Sequence, residues 1–562
     1  MAINYHKVEL KTIVQICDTL DRIISHSLGP RGSKILLATE TGQVIISSDG
    51  KTVLRKLQFG HPIARLIIDS MTRTVNFTGD GSKTFILYLS KFFHELLQQE
   101  FKSTSHNDCV CAIQKIKFEI NSKLASFIKS KIPGSERAIS SVTVREILRT
   151  SLSNSFQQRI IEHYVTMVNE AVCIHGQDDY LILNNIKCMV DNFDLFCVKV
   201  PSLPYSESKT LSPFLIQRRF AVFCQNNLIQ YVRFLICLFP ITGHPKNVET
   251  REIISLTNES SLIRFMDHHH CLLKKFVDMC KRENIQLILC SEQVSDQALQ
   301  LFELNGISIV HYVPEEDYDW LLSSLKISPC TSIFEKLESN MVHSAKSCKP
   351  FILNGRQCVH LELDCQLPLP KMLIVCAPTE GLCNQAFLNL QKSLKTISSF
   401  LNSNNQKSLK DDDGNEKFGT EISVIGAGGS FEFLVSEFLS EYSQRESSCS
   451  IKLLCKILNT AVLQLPRILF HNNSPTKQLD LKLFLVLLEK ISKARHAGKY
   501  LGIDRNGQEA NLFDNGVLEL FEPKIHILLS VLELIQQVLR IDYFVGVKNI
   551  TQNNENFNEH DV

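Results

Sequence analysis

Four short glycine-containing segments carry the residues whose types and spacing could do chemistry. They are LGPRG (28–32), SDGKT (48–52), GDGSKT (79–84) and GAGG (426–429). Glycine lets backbone N–H groups approach a phosphate with no Cβ atom in the way, and a helix N-terminus adds free N–H groups and a positive dipole end. Each segment taken singly is equally typical of a tight turn. Together they predict a phosphate-binding site.

Two of these segments contain an aspartate, Asp49 in SDGKT and Asp80 in GDGSKT. A carboxylate beside a phosphate-binding helix start can hold the accompanying Mg²⁺, which prefers oxygen ligands. Asp49 also suits a turn or a helix N-cap, because it directly precedes Gly50. Both interpretations of Asp49 stay open from the local pattern.

Local patterns also predict the elements that position these segments. The predicted helices cover 6–27, a stretch from Pro62, a stretch from Phe431 and 525–539, and the predicted strands cover 35–37, 44–46 and 422–425. The first helix ends at Gly29, and the last strand leads directly into GAGG. The glycine segments are therefore expected where strands and helices meet.

Residues 220–325 alternate strands with helices, which implies an α/β layer with a sheet. In order, the predicted elements are a strand at 234–238, a helix at 262–281, a strand at 286–290, a helix at 295–304 and a strand at 307–311. Residues 401–420 are polar, so we expect an exposed or disordered loop there, and 551–562 should be a frayed tail.

Length and charge exclude several classes of function. A chain of 562 residues is too long for one core, so we expect two to four domains. With 60 basic and 59 acidic residues the net charge is +1, which favours protein partners over nucleic acid or an anionic membrane. No export signal follows Met1, and apolar runs such as 234–239 are too short to span a bilayer. We therefore expect a cytoplasmic protein without membrane insertion.

The chain contains 19 cysteines, scattered along its length. We expect most of them to be reduced, buried thiols that pack as small hydrophobic groups. A zinc site at Cys109 and Cys111, or at the HHHC run 268–271, is the alternative. It is disfavoured because Cys-x-Cys lacks a second ligand pair and because adjacent histidines on a helix point about 100° apart.

The order and spacing of the motifs resemble the equatorial domain of the group II chaperonins. LGPRG, SDG before a helix, HPIAR (61–65), GDGSKT and a late glycine-rich turn occur in that family's order. Residues 285–313 are similar to its apical domain, and 517–542 to its closing equatorial helices. The segment HPIARLIIDS and the lysine of GDGSKT are more similar to the Bardet-Biedl chaperonin-like proteins than to regular ring subunits.

The resemblance implies an α/β multidomain fold with three domains. A helical equatorial domain that binds nucleotide would combine 1–133 with 394–562. A small intermediate domain would combine 134–200 with 356–393, and an α/β apical domain that binds substrates or partners would cover 201–355.

The resemblance also implies roles for individual residues. ATP and Mg²⁺ are the expected cofactors, with Asp80 as the Mg²⁺ ligand and Asp49 at an acidic position near the γ-phosphate. Gly428 would approach the nucleotide, and Asp514 would lie at the adenosine pocket. The residues expected at the phosphates are Leu28, Gly29, Pro30, Gly32, Gly79, Asp80, Gly81, Ser82, Lys83 and Thr84.

The chain departs from the family at a residue needed for hydrolysis. Family members bring a catalytic aspartate from the intermediate domain to orient the attacking water, and here Lys392 stands at that position. Residues 381–410 contain neither Asp nor Glu, and losing such a base costs about 10²- to 10⁴-fold in rate. Lys392 could instead hold the γ-phosphate. Ala427 replaces a glycine and Lys83 a threonine, so we expect ATP to be bound weakly or turned over slowly.

The N-terminus predicts a second departure. Ring subunits carry a longer leader with a strand that pairs with neighbours. Here the first helix starts close to Met1, so we expect this strand to be absent and 544–550 to supply a terminal strand. The resemblance then implies a mixed complex with sister Bardet-Biedl chaperonin-like proteins and cytosolic chaperonin subunits, BBSome subunits as clients, and the centrosome or ciliary base as a further location. An active ATP-driven foldase and a nucleotide-independent scaffold stay open as alternatives.

Overall fold

The computed structural model divides the chain into two compact units. The described residues are 5–38, 44–57, 59–99, 106–132, 134–173, 179–212, 214–224, 231–242, 259–364, 369–404, 409–410, 416–417, 421–474 and 481–545. Unit 1 consists of Met1–Val165, Asp178–Leu183 and Leu388–Val562, and unit 2 of Thr166–Gln177 and Asn184–Phe387. The subdivision into three domains stays a prediction.

Helices and strands occur in both units. The helices are α1 (Leu10–Ile24), α2 (Gly50–Lys56), α3 (Pro62–Thr78), α4 (Ser82–Gln98), α5 (His106–Lys131), α6 (Ser141–Leu152), α7 (Gln158–Val172), α8 (Asp179–Asp191), α9 (Phe193–Phe196), α10 (Glu259–Arg282), α11 (Asp296–Leu304), α12 (Glu315–Leu325), α13 (Glu380–Asn404), α14 (Ser430–Arg445), α15 (Cys449–Val462), α16 (Gln464–Asn473), α17 (Leu481–His496) and α18 (Phe521–Val538). The strands are β1 (Tyr5–Lys7), β2 (Ile35–Ala38), β3 (Val44–Ser47), β4 (Glu136–Ala138), β5 (Cys197–Pro201), β6 (Lys209–Leu211), β7 (Leu215–Ile216), β8 (Val232–Cys237), β9 (Leu287–Cys290), β10 (Ser308–Val310), β11 (Val342–Leu353), β12 (Arg356–Leu363), β13 (Met372–Ala377), β14 (Leu409–Lys410), β15 (Glu416–Lys417), β16 (Glu421–Gly426), β17 (Gly502–Ile503), β18 (Glu509–Ala510), β19 (Leu518–Leu520) and β20 (Tyr543–Val545).

Unit 1 is built on a helical core with α4 at its centre. Apolar residues occur on every side of α4, and its Phe85, Tyr88 and Phe93 are completely buried. A helix that is apolar all round must be enclosed by other elements, and α1, α3, α15 and α18 pack against it. Because α4 begins directly after GDGSKT's second glycine, this core fixes the position of that segment.

One helical stretch of unit 1, Cys449–Asn473, is long and apolar enough to cross a membrane by length and composition. It comprises α15 and α16, and half of the residues in its most apolar window are buried inside the fold. Ile457, Leu458 and Val462 belong to the same core cluster as α4. The apolar composition of this stretch is therefore explained by its place in the core.

Unit 2 contains a six-stranded sheet with the strand order β10-β9-β8-β11-β12-β7. The three strands β8, β9 and β10 are parallel, and every residue of β9 and β10 is buried, as expected for strands covered on both faces. A second sheet of this unit has the order β5-β13-β6. The α/β layer predicted for 220–325 is confirmed by the order β8, α10, β9, α11, β10.

Most of the other predicted elements are confirmed as well. α3, α14 and α18 match the predicted helices, and β2, β3 and β16 match the predicted strands. The helix predicted over 6–27 is present as α1, but it begins at Leu10 because residues 6 and 7 belong to β1. In 401–420, where a loop is expected, the described residues complete α13 and form the short antiparallel pair β14–β15. Residues 39–43, which connect the first hairpin, and the tail 551–562 lie outside the described residues.

The expectation that an N-terminal strand is absent is wrong. β1 pairs antiparallel with β20, with His6 opposite Phe544, and the Val8 N–H donates to the Asp542 carbonyl at 2.9 Å. A strand of three residues carries too little alternation to be recognised from its pattern. The strand expected at 544–550 is present as β20, and residues 546–550 lie outside the described residues.

Cysteines behave as packing residues in the described part of the chain. Most of those that the structure describes are buried. Within the same residues, no group of three or more His, Cys, Asp or Glu side chains is arranged to hold a metal ion.

Candidate functional site

A cavity within unit 1 brings together three of the four glycine segments. Its volume is about 470 Å³, inside the range of roughly 300–1,000 Å³ that is typical of small-molecule sites. The predicted site residues that line it are Leu28, Gly29, Pro30, Asp80, Gly81, Lys83, Thr84, Ala427 and Gly428. Residues separated by up to 400 positions therefore surround one space.

The GDGSKT segment forms the turn between α3 and α4. Gly79 and Gly81 have φ angles of +82° and +104°, which favour glycine. A Cβ atom on Gly81 would lie 2.1 Å from the Ile527 side chain, so α18 approaches this turn as closely as it can. Asp80 lies between the glycines, and its side chain is 57% exposed. The turn thus presents a carboxylate and the N-terminus of α4 to the cavity.

The GAGG segment forms the turn from β16 to α14. Gly428 has a φ angle of +67°, and a Cβ atom there would lie 2.3 Å from the carbonyl oxygen of Ile503. The Ile503 N–H donates to the Gly428 carbonyl at 2.8 Å, so the two backbones are held together. Gly428 is required by this close approach as well as by its backbone angle.

The LGPRG segment follows the short 3₁₀ turn Ser25–Ser27. Asn472 fixes the segment, because its Nδ2 donates to the Leu28 carbonyl at 2.9 Å. The neighbouring Asn473 lines the cavity, and its buried Oδ1 has no hydrogen-bond partner among the described residues. A buried acceptor without a donor costs about 1–3 kcal/mol, which a donating ligand would recover.

Asp49 is the N-cap of α2 and also an ion-pair partner. Its carboxylate accepts hydrogen bonds from the Thr52 N–H at 3.0 Å and from the Thr52 hydroxyl at 2.6 Å. Lys392 donates to the other carboxylate oxygen, and the Lys392 Nζ lies 3.8 Å from an Asp80 oxygen. The N-cap interpretation of Asp49 is therefore confirmed, and its carboxylate also has a cationic partner.

The charges of this cluster hold Asp49 ionised. Burial alone would raise the pKa of Asp49, but the Lys392 ammonium and the hydrogen bonds from Lys392 and Thr52 outweigh it and lower the pKa to about 2. Burial opposes the charge of Lys392 too, yet Asp80 and Asp49 together raise its pKa. A carboxylate this acidic and already paired is a poor general base.

Close packing of α13 places Lys392 in this cluster. A Cβ atom on Gly79 would lie 2.6 Å from the backbone nitrogen of Thr396, one turn beyond Lys392. The helix can therefore lie directly against the GDGSKT turn only because Gly79 has no side chain. Lys392 therefore lies beside the GDGSKT turn, although it does not line the cavity itself.

Lys83 is a second cation at the cavity. Its Nζ donates to the Ser27 carbonyl, which ties α4 to the residue before LGPRG. Burial lowers the pKa of Lys83 to about 8, and the charge of Lys392 acts in the same direction while Asp80 and Asp49 oppose it. The pKa of Lys83 therefore lies close to neutral pH, and an incoming anion would favour the protonated form of Lys83.

Several predicted residues do not face the cavity. Gly32, Gly79, Ser82 and Asp49 act in the turns beside it, and the buried Ser82 hydroxyl has no hydrogen-bond partner among the described residues. Asp514 is exposed, and its carboxylate accepts from Asn511 Nδ2 at 2.6 Å. Among the described residues it is Asn515 and Gly516, next to Asp514, that line the cavity.

Charged residues that the sequence analysis did not identify line another part of the cavity. Glu146, Arg149 and Glu162 come from α6 and α7, and Arg149 pairs with Glu162 at 2.7 Å. Lys524 and Glu519 also line it, and Lys524 contacts the fully buried Glu432 at 3.4 Å. No local pattern marks these residues, because Arg149 meets Glu162 from the next helix and Lys524 meets Glu432 92 positions away.

The residues present suit a nucleotide with Mg²⁺. The N–H groups at the start of α4 and the Lys83 cation are complementary to phosphates. The Asn473 oxygen, which has no partner among the described residues, is complementary to a donor on a polar base. Asp80 is the exposed carboxylate that would hold Mg²⁺, which would neutralise phosphate charge. Lys392 lies within 3.8 Å of the same carboxylate and would compete for it.

Comparison with known proteins identifies the family of the chain. Residues 20–406 match the TCP-1/cpn60 chaperonin family. BBSome complex assembly protein BBS10 of Pongo abelii is 25% identical over 424 residues, which are 67% of this chain and 55% of that protein. BBS10 of Homo sapiens is 25% identical over 69% of this chain and 57% of its own length. The chain thus spans little more than half of these relatives.

A thermosome subunit matches along almost the whole chain. Thermosome subunit alpha of Archaeoglobus fulgidus is 22% identical over 542 residues, which are 94% of this chain and 90% of that subunit. The similarity to the Bardet-Biedl type 10 chaperonin-like protein that HPIARLIIDS predicts is confirmed by the BBS10 matches. Because the family match covers well over half of the chain and includes three of the four glycine segments, this protein belongs to the TCP-1/cpn60 chaperonin family.

Proposed function

We propose that the protein is a chaperonin-like assembly factor that binds ATP and hydrolyses it slowly. One observation carries the slow turnover: the Lys392 ammonium is bonded to Asp49 and lies 3.8 Å from Asp80. A cation therefore lies beside both aspartates of these turns, at the residue that the resemblance aligns with the family's water-orienting aspartate. Phosphate binding is supported by the cavity, whereas Asp49, which is paired with Lys392, is a poor base for hydrolysis.

Different residues of the site would bind the nucleotide, hold Mg²⁺ and offset the phosphate charge. The N-terminus of α4 and the turns at Gly29 and Gly428 would bind and orient the nucleotide. Asp80 would hold Mg²⁺, and Lys83 would offset phosphate charge. Lys392 would keep Asp49 ionised and stabilise negative charge nearby, which favours a long-lived bound state over turnover.

The cellular role in the proposal comes from the relatives. BBS10 is named a BBSome complex assembly protein, so we propose that this chain also assists BBSome assembly for ciliary traffic. Sister Bardet-Biedl chaperonin-like proteins and cytosolic chaperonin subunits are the proposed partners, and the cytoplasm, with the centrosome or ciliary base, is the proposed location. Depleting the protein should reduce the amount of assembled BBSome on a density gradient without reducing the amount of its individual subunits.

The test measures binding and turnover separately in purified protein. Mant-ATP fluorescence should show binding, while phosphate release should be about 10²-fold or more below that of an ordinary chaperonin subunit. Lys392→Asp should raise phosphate release by at least about tenfold, because it restores a carboxylate at the position of the missing base. Lys392→Met is the matched control, since it removes the cation and adds no base.

Two outcomes would reject this assignment in favour of an alternative. Fast phosphate release that Asp80→Ala abolishes would show an active ATP-driven foldase. Absence of Mant-ATP binding in correctly folded protein would show a nucleotide-independent scaffold.

A further inference from the structure

A depression on unit 2 gathers basic side chains from three separate segments. Arg218, Arg219, Arg356 and His311 line it, together with Tyr312 and two glutamines, and none of the lining residues is acidic. Its volume is about 560 Å³. The site lies wholly within unit 2 and is separate from the glycine-lined cavity of unit 1.

The large sheet of unit 2 brings these segments together. β7 pairs with β12 at one edge, and the chain then crosses to β10, the strand at the opposite edge of the sheet. The Ala221 N–H donates to the Ile309 carbonyl at 2.8 Å, and the Ile309 N–H donates to the Val222 carbonyl at 3.0 Å. Arg218 and Arg219 lie on this crossing, which is fastened at both ends. The backbone of the depression is therefore preformed.

Two of the three arginines have no acidic partner in the part of the chain that the structure describes. Among the described residues, no carboxylate lies within ion-pair distance of Arg219 or Arg356. Arg218 is fixed differently, because its Nε donates to the Tyr312 carbonyl at 2.7 Å. Burial and the charge of Glu316 raise the pKa of Asp317 to about 7, and the charge of Arg218 acts in the opposite direction. The depression therefore carries positive charge at Arg219 and Arg356 that no described carboxylate compensates.

The histidine supplies an independent sign of a missing ligand. The Nδ1 of His311 is buried and has no hydrogen-bond partner among the described residues. Burial lowers the pKa of His311, and Arg219 and Arg218 lower it further. A buried polar atom without a partner costs free energy, which a ligand with a complementary atom would recover.

Tyr312 adds an aromatic surface to the basic depression. Its backbone has a φ angle of +54°, unusual for a bulky residue, and its side chain is 47% exposed. Such strain persists only where surrounding contacts hold it, and here the Arg218 hydrogen bond to the Tyr312 carbonyl is one of them. The ring and the guanidinium groups are thus presented together.

We propose that this depression binds an acidic peptide segment of a partner protein. Guanidinium groups pair with carboxylates through two parallel hydrogen bonds, so Arg219 and Arg356 suit glutamate or aspartate side chains. The amides of Gln217 and Gln357 both donate and accept, as pairing with a peptide backbone requires. Three arginines in one depression do not form the extended basic track that a nucleic acid needs, and the net charge of the chain is +1. The proposal goes beyond the proposed function and does not depend on nucleotide binding.

The test uses fluorescence anisotropy with the full chain, without nucleotide, and fluorescein-labelled hexaglutamate as the probe. We expect saturable binding that persists at physiological ionic strength, and no binding of labelled hexaserine. Arg219→Ala and Arg356→Ala should each weaken hexaglutamate binding about tenfold, the usual effect of losing a hydrogen bond to a charged group. Arg282→Ala is the matched control, because Arg282 is an exposed arginine of unit 2 outside the depression and should leave affinity unchanged.

Three results would overturn the proposal. The first is an equal loss with Arg282→Ala, which would show attraction by overall charge. The second is unchanged binding in the double variant Arg219→Ala/Arg356→Ala, provided that its circular dichroism and thermal midpoint match those of the parent. The third is binding of a phosphoserine peptide or of single-stranded RNA at this depression where hexaglutamate does not bind.

Discussion

At the scale of single residues, Lys392 changes the chemistry of the acidic cluster more than any substitution in the glycine turns does. An aspartate at this position would repel Asp49 and Asp80 and be free to orient water, whereas the lysine is held by both carboxylates. The identity of Lys392 and the absence of acids in 381–410 are visible in the sequence. The ion pair with Asp49, 343 positions away, becomes visible only in the fold.

The Asp49–Lys392 pair should make stability depend on acidic pH. The pKa of Asp49 is lowered from 3.8 to about 2, so the contribution is complete above the unfolded pKa and is lost as pH falls through the folded one. The shift corresponds to about 2 kcal/mol, because each unit is worth about 1.4 kcal/mol. In urea unfolding, the stability difference between the parent protein and Lys392→Met should shrink as pH falls from about 5 to about 2, because the Lys392 part of this contribution is lost while the Thr52 hydrogen bonds are common to both proteins.

Lys395→Met is the control for this measurement. Lys395 lies on the same helix, and no carboxylate among the described residues forms an ion pair with it. Its stability difference from the parent should therefore stay constant across the same pH range. A Lys392→Met difference that is equally constant would contradict the ion pair.

Lys83 should make nucleotide affinity depend on alkaline pH. Its pKa in the ligand-free protein is about 8, so it loses its charge as pH rises through that value. Protonated Lys83 attracts phosphate, so Mant-ATP affinity should fall up to about tenfold per pH unit above about pH 8. In Lys83→Thr the affinity should be lower at neutral pH and nearly flat from about pH 7 to pH 9. A parallel decline in both proteins would show that another group is responsible.

At the scale of elements, the sequence was informative where a pattern is local. The helical stripe of α18, the proline at the start of α3 and the glycines between β16 and α14 are each contained in a short window. Side chains that meet across the fold were missed, such as Glu432 of α14, Tyr88 of α4 and Lys524 of α18, which form one buried network. Asp514 shows the same limit, because its neighbours face the cavity while its own carboxylate bonds to Asn511.

The turn between β16 and α14 should tolerate no side chain at its second glycine. Gly428→Ala places a Cβ atom 2.3 Å from a backbone oxygen in addition to the strain of a positive φ angle, so it should cost about 3 kcal/mol or more. Gly498→Ala is a matched control with φ +74° and nothing within 4 Å of its Cβ, so it should cost only about 1–2 kcal/mol. Unfolding midpoints and Mant-ATP binding measure both effects. Equal losses would show that backbone strain alone explains Gly428.

At the scale of the whole molecule, the pairing of β1 with β20 changes the argument about assembly. The chain's own first strand already covers one edge of β20, so a missing N-terminal strand cannot be the reason for a mixed complex.

The hairpin β2–β3 offers a different surface. Leu36 and Ile46 form a cross-strand pair on one face of this two-stranded sheet, and they are 63% and 48% exposed. An uncovered apolar pair on an isolated hairpin is suited to contact with another chain.

We predict that this hairpin contributes to the proposed complex with cytosolic chaperonin subunits. Leu36→Lys together with Ile46→Lys places two charges on the apolar face, which should disfavour burial against a partner while leaving the cavity of unit 1 unchanged. In sedimentation velocity, the parent chain alone should sediment as a monomer or small oligomer and should enter a large particle when chaperonin subunits are added. The double variant should stay in the slow fraction and still bind Mant-ATP.

Ile352→Lys is the control for this prediction, because Ile352 is an apolar strand residue of unit 2 that is 71% exposed. This variant should still enter the particle. Entry of the double variant into the particle, or formation of a stable double ring by the parent chain alone, would refute this mode of assembly.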